Sequence, residues 1–263
     1  MRTKIKMLGK TVIITGASSG IGRDLALEFA RRGYSLGLTA RRYELLKEIQ
    51  TEINSLYGKL VKVELRVLDV SIYRDIFRVI KELDFVLGGL DILVVNAGVS
   101  KTKPLGSGNF QNDKNVIETN LIGAMATVDA GVEVLKTRKK DGQIVGISSF
   151  AGVRGFPGHS SYSASKAGFT NFLEAARVEL LNEGITVTTI LPGFIDTPIN
   201  HHLPERPFLI DSKKGARKIC NIIEKKKKVA FVPWYPWSLL HLFLKFLPDF
   251  LYYKLKERLM KDR

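Results

Sequence analysis

The chain has 263 residues, of which 45% are hydrophobic and 25% charged, a composition that excludes a disordered polymer and favours one globular domain. Its formal net charge of +15 indicates an anionic partner, such as a phosphorylated cofactor, an anionic lipid or a nucleic acid, with a role in solubility alone as the alternative. Cys220 is the only cysteine, so an internal disulfide is excluded and we expect a reducing, cytoplasmic location.

Apolar runs rich in β-branched residues alternate with segments of helical periodicity along most of the chain. The predicted strands are 11–15, 35–39, 61–68, 91–95, 143–147, 185–191 and 229–232. The predicted helices lie near 21–32, 44–56, 72–86, 116–135, 162–182 and 212–224. This alternation predicts an α/β fold with a doubly wound, mainly parallel sheet and helices on both faces. We assign residues 1–233 to this domain and 234–263 to a C-terminal extension.

A glycine-rich turn follows the first predicted strand. Its candidate cofactor-binding residues are Gly16, Ser18, Ser19, Gly20, Ile21 and Gly22, which lead directly into a helix. Glycines allow a diphosphate to approach the backbone closely, and the free N–H groups of a helix start favour its negative charge. The turn therefore predicts a dinucleotide site, and a purely structural turn is the alternative.

The second strand is followed by two basic residues. NAD-binding sites usually carry an acidic residue at the end of this strand, where the present chain has Ala40. Arg41, together with Arg42, instead suits a ribose 2′-phosphate and indicates NADP. The alternative is that both arginines belong to a solvated loop.

The third polar constellation lies between 142 and 168. Ser149 follows a buried strand, and Tyr162 comes thirteen residues later with Lys166 one helical turn beyond it. We expect the ammonium of Lys166 to lie near the phenol and to lower the pKa of Tyr162, which suits a proton donor in carbonyl chemistry. Tyr-x-x-x-Lys alone is weak evidence, because Tyr43 and Tyr252 show the same spacing.

Taken together, these motifs resemble those of the short-chain dehydrogenase/reductase family from about residue 10 to residue 232. The residues that carry the resemblance stand in order: the turn 15–22, Asp69, Asn96, Ala97, Gly98, Asn120, Ser149, Tyr162, Lys166, Pro192, Gly193 and Thr197. The resemblance implies a Rossmann-type sheet of seven strands in the order 3-2-1-4-5-6-7. The family's second Asn before Asn96 is replaced here by Val95, a change that we interpret as one of local packing.

The resemblance also implies a role for each of these positions. It makes Tyr162 the catalytic acid or base, Lys166 the ligand of the nicotinamide ribose, Ser149 the partner of the substrate oxygen, and Asn120 the residue that positions a water linked to Lys166. It places Asp69 and Val70 at the adenine, Asn96, Ala97 and Gly98 along the cofactor cleft, and Pro192, Gly193, Ile195 and Thr197 near the nicotinamide carboxamide.

These assignments predict an NADP-dependent oxidoreductase acting on a carbonyl or alcohol, with a bulky or apolar ketone or secondary alcohol as the substrate class. A non-catalytic dinucleotide-binding regulator and a sugar-nucleotide epimerase are the rival hypotheses. The four histidines form no cluster with cysteine or carboxylates, so no metal site is predicted. The lysines at 225–228 lack a nucleic-acid-binding module around them, so we predict no nucleic-acid partner. We expect a homodimer or homotetramer.

The extension 234–263 is rich in aromatic residues and leucine and ends in basic residues. Its apolar runs are interrupted by Pro236, Lys245 and Pro248, and none reaches the roughly 18–20 residues of a membrane-spanning helix. Three hypotheses remain open: the segment packs on the core or on a second subunit, it surrounds the mouth of the substrate pocket, or it lies in a membrane interface with its lysines at lipid phosphates.

Overall fold

A computed structural model describes residues 8–100, 103–108, 110–138, 141–203 and 205–254. Seven parallel strands form one sheet in the order 3-2-1-4-5-6-7, as predicted. The strands are β1 (Thr11–Thr15), β2 (Ser35–Ala40), β3 (Val63–Val67), β4 (Ile92–Val95), β5 (Gly142–Ile147), β6 (Ile185–Pro192) and β7 (Val229–Val232). The helices are α1 (Gly20–Arg31), α2 (Tyr43–Tyr57), α3 (Tyr73–Leu87), α4 (Phe110–Ile117), α5 (Gly123–Arg138), α6 (Ser160–Glu179), α7 (Ser212–Glu224) and α8 (Trp237–Phe246).

The strand order creates a crevice above the centre of the sheet. Val12 of β1 pairs with Leu36 of β2 on one side and with Ile92 of β4 on the other. The chain proceeds outward from β1 in one direction and outward from β4 in the opposite direction, so the loops that follow these two strands diverge. Ligands of open α/β sheets bind at such a point, beyond the carboxyl ends of the strands.

Apolar helix faces cover both sides of the sheet. Leu25 and Phe29 of α1 and Ile219 of α7 are fully buried in one layer, while Ile80 of α3 and Leu173 of α6 are fully buried in the other. Because β1 and β4 are buried along their whole length, they read as continuous apolar runs rather than as alternating ones. The two layers hold the strand ends, and hence the residues that follow them, in fixed positions.

The prediction of one continuous helix near 116–135 is wrong in detail, because a π-helical turn interrupts this region. Helix α4 begins earlier, at Phe110, and the turn Glu118–Ile122 separates it from α5. At the start of α5, a Cβ on Gly123 would lie 2.3 Å from the carbonyl oxygen of Val70. This close approach fixes α5 against the loop after β3, and the extra residue of the π turn changes the direction in which the preceding side chains project.

Other boundaries differ from the predicted ones by a few residues. The third strand begins at Val63 rather than at 61, because a 3₁₀ turn, Gly58–Leu60, precedes it. Helix α6 begins at Ser160, two residues before the predicted start at 162, and ends at Glu179. Helix α8 was not predicted, since Pro236 and Pro248 flank only ten helical residues.

Candidate active site

A cavity of about 920 Å³ occupies the crevice beyond the carboxyl ends of the strands. Nearly all of the predicted site residues line it: Gly16, Ser18, Ser19, Gly20, Ile21, Arg41, Arg42, Asp69, Val70, Asn96, Ala97, Gly98, Ser149, Tyr162, Lys166, Pro192, Gly193, Ile195 and Thr197. Gly22 and Asn120 do not line it. The cavity is continuous from the arginines after β2 to the apolar side chains of α8.

The glycine-rich turn is packed too closely for other residues. Gly16 has φ +67°, and a Cβ there would lie 2.6 Å from the Cα of Ala97. Gly22 lies beneath the turn, where a Cβ would come within 2.5 Å of the Gly16 carbonyl oxygen. Helix α1 begins at Gly20, and the side chain of Ser19 makes no capping hydrogen bond with the N–H groups of its first turn. These N–H groups and the positive end of the helix dipole suit a phosphate.

Gly16→Ala is expected to lower the free energy of unfolding by about 1–3 kcal/mol, because its methyl group would collide with Ala97 in left-handed backbone. Gly9→Ala is the matched control, since Gly9 has φ +62° but no atom within 4 Å of the added methyl group. Denaturant unfolding of both variants measures the difference, and equal destabilisation would contradict the packing argument.

Thr15 and Asn96 join the turn to the loop after β4. The Asn96 side-chain amide donates to the carbonyl oxygens of Thr15 and Gly16 at 3.0 and 3.1 Å. The Thr15 hydroxyl accepts from the backbone N–H groups of Asn96 and Ala97 at 3.1 and 3.3 Å. Asn96 therefore holds the two loops together. Thr15, which was predicted to belong to the turn but was given no role of its own, shares that function.

The two arginines after β2 take different positions. Arg42 donates to the hydroxyls of Ser18 and Ser19 at 3.1 and 3.0 Å, so its guanidinium group lies over the glycine-rich turn. Arg41 is 64% exposed, with Nη1 3.8 Å from a carboxylate oxygen of Asp69. Both cations line the same end of the cavity. This end can therefore accept a dianionic group.

Ser149, Tyr162 and Lys166 meet at the centre of the cavity. Ser149 lies just beyond the end of β5, and its side chain hydrogen-bonds the phenol of Tyr162 on α6. The neighbouring Ser148 also lines the cavity, but its hydroxyl donates to the Lys166 carbonyl oxygen at 3.0 Å and accepts from the Thr170 hydroxyl at 2.7 Å. The Ser148 hydroxyl thereby anchors α6 to β5, whereas the Ser149 side chain is directed to the phenol of Tyr162.

Asn120 lies behind this centre, in the π turn. Its amide forms two hydrogen bonds of 2.8 Å with the backbone N–H and carbonyl of Val99, and it also donates to Ser165 at 3.2 Å. Ser165 in turn donates to the carbonyl oxygen of Tyr162 at 2.7 Å. Asn120 therefore supports the first turn of α6 and does not reach the cavity. A Cβ on Gly98 would lie 3.3 Å from its Oδ1 and 3.6 Å from Lys166 Nζ, so Asn120 and Lys166 are near neighbours.

The pKa shifts of Tyr162 and Lys166 differ from those predicted from the spacing of the two residues. Burial raises the pKa of Tyr162 above its ordinary value, and the hydrogen bond with Ser149 opposes that rise. Burial lowers the pKa of Lys166 to about 8. The Lys166 nitrogen is 5.9 Å from the Tyr162 ring centroid and donates to the carbonyl oxygen of Ile147 at 2.9 Å. Lys166 therefore does not lower the pKa of Tyr162 as predicted, and the hydrogen bond with Ser149 offsets only part of the rise that burial causes.

The far wall of the cavity is apolar and comes from the C-terminal extension. Its lining side chains are Trp237, Leu240, Phe243, Leu244 and Tyr252. Trp237 packs edge-on against Phe150, with ring centroids 4.5 Å apart. A Cβ on Gly193 would lie 2.2 Å from the indole, so this glycine is what allows Trp237 to cover the loop after β6.

Arg154 attaches the extension to the loop between Ser149 and Tyr162. Its guanidinium group donates to the carbonyl oxygens of Leu244, at 2.6 Å, and Leu247, and it pairs with Asp249 at 2.6 Å. It also lies 4.4 Å from the ring centroid of Tyr252. Arg154 could not be predicted as a site residue from the sequence, because nothing in the local pattern of the loop indicates a partner more than 90 residues away.

The described residues contain neither a cluster of metal-ligand side chains nor a helix suited to span a membrane. In these parts of the chain, no three His, Cys, Asp or Glu side chains gather as metal ligands would. Over the same residues, none of the helices combines the length and the apolar character needed to cross a bilayer.

The family assignment follows from the order of these residues and from comparison with known proteins. The sequence model of the short chain dehydrogenase family matches residues 10–207. The chain belongs to the short-chain dehydrogenase family. As a short-chain dehydrogenase it is an oxidoreductase of a family that uses a nicotinamide dinucleotide. The rival hypothesis of a non-catalytic regulator is not favoured.

Two curated relatives and one solved structure illustrate this membership. The chain is 36% identical over 228 residues to an uncharacterized oxidoreductase of Mycobacterium tuberculosis, covering 86% of this chain and 89% of the relative. It is 38% identical over 203 residues to farnesol dehydrogenase of Aedes aegypti, covering 75% and 80%. It superposes on an alcohol dehydrogenase of Thermococcus sibiricus, complexed with 5-hydroxy-NADP, with a TM-score of 0.76, 27% identity and coverage of 84% and 95%.

Proposed function

We propose that this short-chain dehydrogenase is NADP-dependent and interconverts a carbonyl group and an alcohol on a bulky, apolar substrate. The observation that carries the proposal is the single continuous cavity, which has two arginines at one end, Tyr162 at its centre and an apolar wall at the other end. A dinucleotide and an apolar molecule can share such a cavity, with their reacting ends meeting at Tyr162.

The polar end fits the dinucleotide on its own geometry. The close packing at Gly16 keeps side chains out of the space above the turn, and the N-terminus of α1 faces that space. We assign the diphosphate to this turn, the 2′-phosphate to Arg41 and Arg42, and the nicotinamide to the stretch from Pro192 to Thr197. When bound, the nicotinamide ring supplies or accepts the hydride.

The protein's part in the reaction is to hold the substrate oxygen and to move one proton. Because its pKa is raised, Tyr162 is protonated at neutral pH and can donate its phenolic proton to a carbonyl oxygen during reduction. In the reverse direction, its deprotonated form accepts the proton of the alcohol. The Ser149 hydroxyl hydrogen-bonds the same substrate oxygen. Lys166, whose pKa is lowered by burial to about 8, is available to bind a ribose hydroxyl.

The substrate class follows from the far wall. Aromatic and leucine side chains of α8 line an apolar stretch of the cavity. A small polar substrate would leave this stretch in contact with water, whereas a bulky apolar substrate would cover it. The named activity of the Aedes aegypti relative, farnesol dehydrogenase, concerns an apolar alcohol and supports this choice. We also propose that the protein is cytoplasmic and forms a homodimer or a homotetramer. Light scattering, which measures the molecular mass in solution, tests the oligomeric state.

The proposed activity is tested by NADPH consumption with a panel of steroid, fatty-acyl, sugar and quinone carbonyls. We expect turnover with an apolar ketone and at least about tenfold higher kcat/KM for NADPH than for NADH. Absence of dinucleotide binding in a fluorescence titration would contradict the proposal, and so would activity confined to sugars.

Ser149→Ala is expected to move the pH profile of alcohol oxidation to higher pH. The Ser149 hydrogen bond lowers the pKa of Tyr162, so its loss lets that pKa rise further and the deprotonated base appears only at higher pH. The rate should also fall by about 10²–10³-fold, since one group at the substrate oxygen is lost. Ser149→Thr keeps the hydroxyl and serves as the control. If the pH profile of kcat/KM for Ser149→Ala coincides with that of the unaltered enzyme, the assignment of Ser149 as the residue that opposes the rise in the Tyr162 pKa is wrong.

A further inference from the structure

Helix α8 is apolar on both sides, which is unusual for a helix at a protein surface. Its inner side carries the buried Trp237 and Leu244, which pack with Phe150 against the cavity. Its outer side carries Leu239, Leu242, Phe243 and Phe246, at spacings of three and four residues along one helical stripe.

This outer stripe is open. Leu239, Leu242 and Phe243 are each 57% exposed and Phe246 is 77% exposed. Around it, the other residues of the extension with large exposed apolar surfaces are Trp234, Tyr235, Phe250, Leu251 and Tyr253. Nine large exposed apolar residues within the segment 234–253 indicate an interaction site, because single exposed apolar residues are common but such a concentration is not. We call this set of nine residues the outer α8 face.

The charges around the outer α8 face are mainly positive. Lys245 and Lys254 are exposed beside it. Asp249 is the only acidic residue between 234 and 254, and it is paired with Arg154. The sequence that continues from 255 to 263 adds four cationic and two acidic residues. The lysines at 225–228 are not part of this face, since they precede β7 and lie at the opposite end of the sheet.

The cavity opens onto the same face. Phe243 lines the cavity and is also one of the exposed residues of the outer stripe, so the apolar surface runs from the outside of the protein into the site. Aromatic residues with a polar edge, such as Trp234 and Tyr253, stand at the margin of the face, where the interface between lipid tails and headgroups favours them.

We propose that the outer α8 face docks onto an anionic lipid bilayer, so that the substrate enters the cavity from the membrane. The docking places the apolar stripe among the acyl chains and Lys245 and Lys254 at lipid phosphates. A second copy of the chain fits this face less well, because a symmetric pair would bring the same lysines of both copies together. This inference rests on the proposed function and makes its substrate class more specific, because a substrate that enters from the membrane is a carbonyl compound or an alcohol dissolved in lipid.

The test is co-sedimentation of the purified full chain with vesicles. One set is pure phosphatidylcholine, and the other contains roughly one third phosphatidylserine. We expect the protein to bind the anionic vesicles at least about tenfold more tightly than the neutral ones. Leu242→Glu combined with Phe246→Glu should reduce anionic binding by at least about tenfold, because two carboxylates would enter the acyl region. Lys245→Glu should reduce the preference for phosphatidylserine.

Phe85→Glu is the matched control, since Phe85 is 81% exposed but lies on α3. It should bind vesicles as the unaltered chain does. NADPH titration of every variant reports whether the fold and the dinucleotide site are intact, so a failure of the proposed cofactor is distinguished from a failure of docking. Docking is overturned if the chain stays in solution with anionic vesicles, or if the double variant still binds them. Docking is also overturned if the unaltered chain does not bind vesicles and the double variant has half its mass in light scattering, because a second copy of the chain would then cover the outer α8 face.

Discussion

Tyr162→Phe is expected to lower kcat by between about 10²- and 10⁴-fold while dinucleotide affinity stays within about twofold. The substitution removes only the phenolic oxygen, which hydrogen-bonds Ser149 in the cavity. The ring and its packing remain, so the loss falls on the proton transfer and not on the pocket. Steady-state kinetics with the best ketone of the panel, together with NADPH titration, measure both quantities.

Tyr43→Phe provides the control for this experiment. Tyr43 has the same spacing to Lys47 as Tyr162 has to Lys166, but it begins α2 and is exposed. Its replacement should leave kcat unchanged. Turnover of Tyr162→Phe within about threefold of the unaltered enzyme would exclude Tyr162 as the acid or base.

Replacing Arg41 and Arg42 together by Ala is expected to raise the Kd of NADPH by about 10- to 100-fold, with the Kd of NADH changed by less than about threefold. NADH lacks the 2′-phosphate, which is the group that the two guanidinium groups are proposed to bind. The single variants separate their roles, because Arg42 also holds the hydroxyls of Ser18 and Ser19 whereas Arg41 is largely exposed. We therefore expect Arg42→Ala alone to weaken NADH binding slightly and Arg41→Ala alone to spare it.

Fluorescence titration with each dinucleotide measures these constants. Arg74→Ala combined with Lys59→Ala removes the same net charge from exposed positions outside the cavity and controls for long-range attraction. Equal weakening of NADPH and NADH in the double Arg41 and Arg42 variant would remove the argument for NADP preference.

The sequence was sufficient to predict the strand order and the end of the sheet where the cavity lies. The strand order was implied by the resemblance to a known family, whereas the alternation of strands and helices predicted only a mainly parallel sheet. The polar residues that follow β1, β4 and β5 converge because parallel strands end at the same edge. The resemblance to a known family correctly grouped Ser149, Tyr162 and Lys166 near one another. The roles assigned to these three residues remain predictions.

Features that depend on tertiary contacts could not be predicted from the sequence. The π turn around Asn120 could not be predicted from periodicity, because its hydrogen bonds with Val99 come from a different loop. The direction of the Tyr162 pKa shift depends on how deeply the phenol is buried and on where Lys166 donates its hydrogen bond, and the spacing of four residues specifies neither. Helix α8 lies between two prolines, and its position is set by Arg154 and Trp237.

The attachment of the extension through Arg154 has a consequence for how this enzyme can diversify. The dinucleotide end of the cavity is built by loops that follow the sheet, whereas the apolar wall belongs to a short terminal segment. Hydrogen bonds of Arg154 and of the Tyr252 hydroxyl, together with apolar contacts such as those of Trp237, hold this segment against the domain. Substitutions in that segment leave the sheet and its hydrogen bonds untouched. Exchange of the terminal segment between relatives that keep Arg154 and Gly193 is therefore a route to new substrate preferences with the proton-transfer residues retained, and chimeras joined after Val232 would explore it.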